Sequence, residues 1–361
     1  MVFENKEELI DNEILTVLSM DGRAALDSIG KKINLTKHPT YRRVKGLEDR
    51  FGIRYLAEID TEKLGYLKFL IFVKFLDKLP TNDEITAAIK NEPRIQFAAV
   101  LTGGEYNLLL YLLVENNSEI NIIRKTLVVN SSLINYRSEF YITPFYETYN
   151  FIPIKEEFIE LLKKAKTQQK KAGDLFEDLE TVTEKKKQIL LREFAVIKEL
   201  VNKGDIAFSE IDKKYGFDRG RAQYSYYKLV ESGVIKRVTI SMQKIPIKYV
   251  AVISIKVSYP KPYYKNIKHL LTAIVKKTNS YTNRFALVGD NYIPVGVTFL
   301  LPVFEDMDLE KAIKDLSGLR GADVKTSVIT KTLSGTLCYR RFDNAYSMQY
   351  KTIKNKSYNW H

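Results

Sequence analysis

Between residues 9 and 50 the apolar positions recur at helical spacing in three bursts. Leu9, Ile10, Ile14, Leu15 and Leu18 form the first and stop at Asp21-Gly22. Leu26, Ile29 and Ile33 form the second, and Thr40, Val44 and Leu47 the third, which is predicted to run to about Arg50. The stretch Asn34-Leu35-Thr36 between them has room only for a turn. Thr36 is a good N-cap, and Pro39 falls in the first helical turn, where a missing N–H does little harm. Three short helices with so tight a second connection make the helix-turn-helix pattern. After them, Ile53 to Ile59 and Lys63 to Tyr66 predict a short hairpin, the wing.

The pattern then changes period. Leu67 to Leu76 is a nearly continuous apolar strand, Asn82 to Asn91 is helical, and Ile95 to Leu101 is a strand ended by Thr102-Gly103-Gly104-Glu105. Tyr106 to Val114 is a further strand, Asn117 to Val128 a helix, and Leu133 to Ile142 a last strand. The order βαββαβ is the ferredoxin-like arrangement, with helices on one face of the sheet. The other face carries large apolar residues and needs a cover.

The chain then repeats itself. Adding 182 to Ile14, Leu18, Gly22, Leu26, Ile29, Leu35, Leu47 and Ile53 gives Val196, Leu200, Gly204, Phe208, Ile211, Phe217, Leu229 and Ile235. Every apolar position stays apolar and the glycine stays glycine, which chance rarely achieves at helical spacing. Gly103 and Tyr106 match Gly289 and Tyr292 at an offset of 186. The predicted fold class is α+β: two copies of a winged helix-turn-helix followed by a ferredoxin-like, RAM-type βαββαβ domain. The expected boundaries are 1–66 and 67–150 for the first copy, 188–246 and 247–335 for the second, 151–187 for a charged helical spacer and 336–361 for a basic, tyrosine-rich tail.

Composition narrows the chemistry. Of 361 residues 45% are apolar, which is globular, and Lys plus Arg exceed Asp plus Glu by 57 to 44, a formal charge of +13. That excess favours a polyanionic partner, nucleic acid before an anionic membrane. Cys338 is the only cysteine, so neither an intrachain disulfide nor a thiolate metal cluster is expected. His38, His269 and His361 lie far apart in sequence. No metal and no cofactor is expected. No stretch approaches the ~18 apolar residues of a membrane span, and the first residues lack a secretory pattern, so a cytoplasmic chain without a membrane partner is expected.

The third helix of each copy carries the candidate chemistry. In the first, Arg42 and Lys45 lie opposite the apolar side together with His38, and Lys37, Tyr41 and Arg43 flank them. Such an outer face suits the major groove of double-stranded DNA, although a solvated basic face looks the same in isolation. In the second, Arg219, Arg221, Gln223 and Lys228 are the candidates, while the positions of Arg42, Arg43 and Lys45 are taken by Tyr224, Ser225 and Tyr227.

These residues resemble a known family. Asp11-Asn12-Glu13-Ile14-Leu15, Asp21-Gly22-Arg23, Ile29-Gly30-Lys31-Lys32, Arg42-Arg43-Val44-Lys45-Gly46-Leu47-Glu48 and Ala57-Glu58-Ile59-Asp60 resemble the leucine-responsive regulator/AsnC (Lrp/AsnC) transcription regulators. Gly103-Gly104-Glu105-Tyr106-Asn107 resembles the turn of that family's effector domain, and Leu229-Val230-Glu231-Ser232-Gly233-Val234-Ile235 fits the end of its recognition helix. The resemblance implies DNA-binding dimers whose effector-domain sheets pack face to face. It also implies an amino acid or related small effector near Gly103, Gly104, Glu105 and Tyr106, where glycine backbone admits a close ligand and free N–H groups hold a carboxylate. Without the resemblance an ordinary tight turn is the simpler reading. The family glycine after the recognition helix stands displaced at Gly52, and Pro294 interrupts the second effector turn. Because the chain holds two copies, an intrachain pseudo-dimer or a homo-oligomer is expected. Two alternatives share the architecture: a sirohaem-decarboxylase-like enzyme and an interaction protein that binds no DNA. The enzyme needs histidine beside the middle strands, and neither Ile95–Leu101 nor Tyr281–Leu287 has one. A regulator without enzyme activity is the expected class.

Overall fold

The computed structural model describes residues 6–128, 132–144, 146–147, 190–244, 247–257, 286–287, 295–303 and 306–335. The spacer, the second effector turn and the basic tail lie outside the described residues. The first triplet comprises α1 (Lys6–Met20), α2 (Leu26–Ile33) and α3 (Lys37–Phe51). The second comprises α6 (Leu191–Asn202), α7 (Phe208–Tyr215) and α8 (Arg221–Glu231). In each triplet the turn before the third helix begins in the left-handed region, at Asn34 (φ 55°) and at Gly216 (φ 67°), which closes the preceding helix. Thr36 occupies the N-cap position of α3, but its side chain makes no capping bond. Gly52 closes α3 at φ 58°, and its amide donates to the Glu48 carbonyl. Gly233 at φ 72° stands one residue beyond the end of α8, after Ser232, and donates its amide to the Val230 carbonyl.

The expected wing takes another form. After α3 comes β1 (Ile53–Ile59), but Thr61 to Gly65 form turns instead of a return strand. The Asp60 carboxylate accepts from the Glu62 amide at 3.0 Å, and Gly65 sits at φ 82°, which holds those turns. The partner of β1 is β7 (Ile235–Met242), which follows the second triplet, and the two make an antiparallel ribbon. Its register, Ala57 opposite Val238 and Leu56 opposite Thr239, places an approximate two-fold axis near Ala57 and Val238.

The ribbon locks the triplets together. Ile240 and Met242 of β7 are buried in the core of the first triplet beside Ile14, Leu18, Val44 and Leu47. Ala57 and Ile59 of β1 belong in turn to the core that holds Phe194, Val196, Leu200 and Leu229. Gly22 donates its amide to the Val238 carbonyl at 2.7 Å, and Gly204 donates to Tyr55 at 2.7 Å. A Cβ at Gly204 would meet the Leu56 amide nitrogen at 2.8 Å. The recurring glycine therefore marks where the end of each first helix touches the strand of the other half.

Seven of the remaining strands form one sheet. In the first half, β2 (Leu67–Phe75), β3 (Ile95–Thr102), β4 (Leu108–Val114) and β5 (Ser138–Pro144) alternate with α4 (Asn82–Ile89) and α5 (Asn117–Val128) in the order β5-β2-β4-β3. That is the ferredoxin-like order. A capping box at Thr81 and Glu84 starts α4. In the second half, β8 (Tyr249–Val257), β10 (Val295–Val303) and β11 (Ala322–Ser334) run in the order β10-β8-β11, with α9 (Asp306–Ser317) between β10 and β11. The long β11 joins the halves: it pairs with β8 up to Ile329 and with β3 from Val328 to Ser334. The short strands β6 (Tyr146–Glu147) and β9 (Ala286–Leu287) pair antiparallel.

One face of the first-half sheet, with Ile71, Val73, Ala98, Leu110 and Leu112, packs on Ile85, Ile89, Ile123 and Leu127 of its helices. The other face, with Leu70, Phe72, Phe97, Leu109 and Tyr111, shares a core with Val250, Val252 and Leu300 of the second half. The sheet face left bare by one set of helices is thus covered within the same chain. Among the described residues, no helix is long and apolar enough to cross a membrane.

Candidate nucleic-acid interface

Packing of the third helices fixes what they show to solvent. In α3, Thr40, Val44 and Leu47 are buried, so Lys37, His38, Tyr41, Arg42 and Lys45 are exposed. Tyr41 keeps 46% of its surface free. Arg42 makes no hydrogen bond or ion pair with the described residues. Lys45 pairs with Glu48, whose carboxylate also accepts from the Tyr55 hydroxyl at 2.8 Å. The hydrogen bond to Glu48 raises the Lys45 ammonium above its ordinary value. Lys37 lies 3.9 Å from Asp27, with both side chains exposed.

Arg43 departs from the expectation of an outward base reader. Its guanidinium turns back to α1, 2.7 Å from Asp11 and 3.7 Å from Glu7, and only 27% of the side chain is exposed. The charge that flanks the outer face in sequence fastens α3 to α1 in space. Among the two arginines the groove-facing candidate is Arg42.

In α8 the buried positions are Ala222, Ser225 and Leu229. Gln223, Tyr224 and Tyr227 therefore face outward, the tyrosines 57% and 59% exposed. Arg219 lies in the turn before the helix and Arg221 opens it, both exposed. Asp212 of α7 accepts from the amides of Gly220 and Ala222 at 2.8 and 2.7 Å and so positions the start of α8. Lys228, also expected at the interface, instead directs its ammonium at Glu193 of α6, 3.4 Å away and fully buried. Tyr226 turns inward against Phe208, ring centroids 5.0 Å apart.

A residue that the sequence did not mark for a role ties the triplets together. Arg23 reaches from the end of α1 to the carbonyls of Gly204 and Ile206 and lies 4.1 Å over the Phe208 ring. Burial lowers its pKa below the ordinary arginine value. At the related position the second half has Asp205, so this contact has no mirror image.

The expected effector turn lies at the meeting of the two halves. Gly103 adopts φ 76° with open space where a Cβ would stand. Gly104 has a different reason to be glycine: a Cβ there would fall 2.0 Å from the Ser327 Oγ and 2.8 Å from the Thr326 carbonyl oxygen of β11. Glu105 binds Lys325 at 2.7 Å, and that hydrogen bond holds the carboxyl below its ordinary range. Behind this pair lies a slot of about 30 Å³ between Phe72, Tyr106 and Tyr141 on one side and Val252, Ser254, Lys256 and Thr298 on the other. The Tyr106 ring is 5.3 Å from Phe72 and 6.1 Å from Tyr141, and Lys256 lies 4.3 Å over Tyr141. Gly104 thus serves the approach of β11, while Gly103 keeps open space.

No family model matches the chain. The chain is 29% identical over 113 residues to the HTH-type transcriptional regulator FL11 of Pyrococcus horikoshii, which covers 31% of this chain and 74% of that protein. It is 32% identical over 98 residues to the Bkd operon transcriptional regulator of Pseudomonas aeruginosa, covering 26% of this chain and 63% of the relative. Among solved structures, the sirohaem decarboxylase NirDL superimposes with a TM-score of 0.57 over 96% of this chain and 99% of its own, at 10% identity. That is a likeness of fold. By these relatives and by its paired helical triplets, the chain is similar to helix-turn-helix transcriptional regulators.

Proposed function

We propose that the chain is a sequence-specific regulator that binds double-stranded DNA as an intrachain pseudo-dimer. The observation that carries this reading is the pair of third helices, α3 and α8, set about the approximate two-fold axis of the β1–β7 ribbon with polar, basic and aromatic side chains outward. Two helices so related suit successive major-groove segments on one side of a duplex. The test is a gel-shift series in rising salt. Log affinity falls linearly with log salt, by about 0.9 per phosphate neutralised. Replacing Arg42 and Arg221 by Ala weakens binding and flattens the slope. A double variant with unchanged affinity and slope removes these helices from the interface.

The slot behind Glu105 and Lys325 suggests where an effector acts. An amino acid entering the slot would lie beside the exposed Glu105–Lys325 pair. Its carboxylate then has Lys325 and Lys256 as partners. We read this slot as a regulatory site and not as a catalytic one. Among the described lining residues the ionisable groups are Glu105, Tyr106, Tyr141, Lys256 and Lys325, and none is a histidine. A thermal-shift screen of amino acids against the full chain and a Lys325→Ala variant tests the site. Stabilisation of both proteins by the same compound places its binding elsewhere.

A further inference from the structure

We propose that this regulator reads a directional, non-palindromic DNA site in a single orientation, Arg42 reading one half and Gln223 with Tyr224 and Tyr227 the other. The inference rests on the DNA-binding reading above and extends it to the kind of site. A dimer of identical chains carries two identical helices about its axis and so reads the same half-site twice. Here the axis near Ala57 and Val238 relates helices of different chemistry.

The difference falls on the positions that face out. Where α3 shows Tyr41, Arg42 and Lys45, α8 shows Gln223, Tyr224 and Tyr227. Arginine pairs with the O6 and N7 of guanine, and glutamine pairs with the N6 and N7 of adenine. A tyrosine ring offers an apolar face to a thymine methyl and a hydroxyl to one phosphate, yet it cannot replace the arginine fork. The two rings stay outside the core: Tyr227 meets the edge of Tyr226, with centroids 5.5 Å apart, and Arg192 lies 6.0 Å from the Tyr224 ring. Their exposure of 57% and 59% leaves the outward face of this helix available to a groove. The first half-site is therefore G-containing and the second rich in A·T, with centres about one helical turn, roughly 10 base pairs, apart or a multiple of it.

The experiment is selection of bound duplexes from a random pool by the full chain. Gel shifts at one fixed salt then compare the selected site with two symmetrised versions, one half doubled in each. The selected motif is non-palindromic, and each symmetrised duplex binds about tenfold more weakly. Arg42→Ala relaxes preference in the G-containing half alone, and Gln223→Ala in the A·T half alone. A palindromic motif covered by one chain, or equal affinity for a symmetrised duplex, overturns the inference while the DNA-binding function stands. Either variant relaxing both halves equally overturns it as well. Failure of the chain to bind any duplex at low salt overturns the function, and the inference with it.

Discussion

Ile240 belongs by sequence to the second half, yet its side chain is fully buried in the core of the first triplet. Replacing it by Ala separates these two memberships. The change removes three carbons, which at about 0.8 kcal/mol each costs about 2.4 kcal/mol of transfer free energy. The cavity left among Ile14, Leu18, Val44 and Leu47 adds a further term, so the total falls within about 2–5 kcal/mol. The readout is amide hydrogen exchange followed along the chain. Protection falls first in α1 and α3, which lie more than 180 positions away in sequence, while α6 and α8 keep theirs. DNA affinity falls with it, since α3 carries Arg42. Loss of protection confined to α6, α7 and α8 would refute the interlocked ribbon. A change below about 0.5 kcal/mol, the range of surface substitutions, would refute the burial itself.

Two further outcomes follow from the same packing. A fragment of residues 1–150 has no β7 beside β1 and no second half on Leu70, Phe72 and Tyr111, so sedimentation shows it as a dimer or higher oligomer; a monomeric, folded fragment at high concentration contradicts this. The Glu105–Lys325 contact is sensitive to acid. Because the hydrogen bond lowers the folded pKa of Glu105, the stability it contributes is present above the unfolded value, near 4.5, and is lost as pH falls through the folded one. Thermal melts of the native chain and Glu105→Gln therefore differ at neutral pH and converge below the folded pKa, and curves that stay parallel to pH 2 rule the contact out.

The elements themselves were legible because they rest on local rules. The period of Thr40, Val44 and Leu47 fixed both the core side of α3 and the outward direction of Arg42. The order βαββαβ in the first half followed from alternation and length. What the sequence left open was partnership. Nothing within Ile53 to Ile59 says that its partner lies beyond residue 234, because strand pairing between distant segments leaves no local mark. The alternation at Lys63 to Tyr66 suits a return strand, but the turns held by Asp60 occupy that stretch. The direction of Arg43 is open for a similar reason: helical spacing sets where its Cβ points, and Asp11 on a neighbouring helix decides where the long side chain goes. The repeated glycine was visible as a repeat, but its cause, close approach to the opposite strand, required that strand to be placed.

The interlocked ribbon also bears on partner fidelity. Separate subunits that exchange strands depend on concentration, and at low copy number they dissociate or pair with related chains. Here β1 and β7 are joined covalently through the intervening chain, so each meets the other at an effective concentration that dilution does not lower. The pairing is insulated from other regulators of similar fold, and each half is free to change its groove-facing residues without having to match a copy of itself.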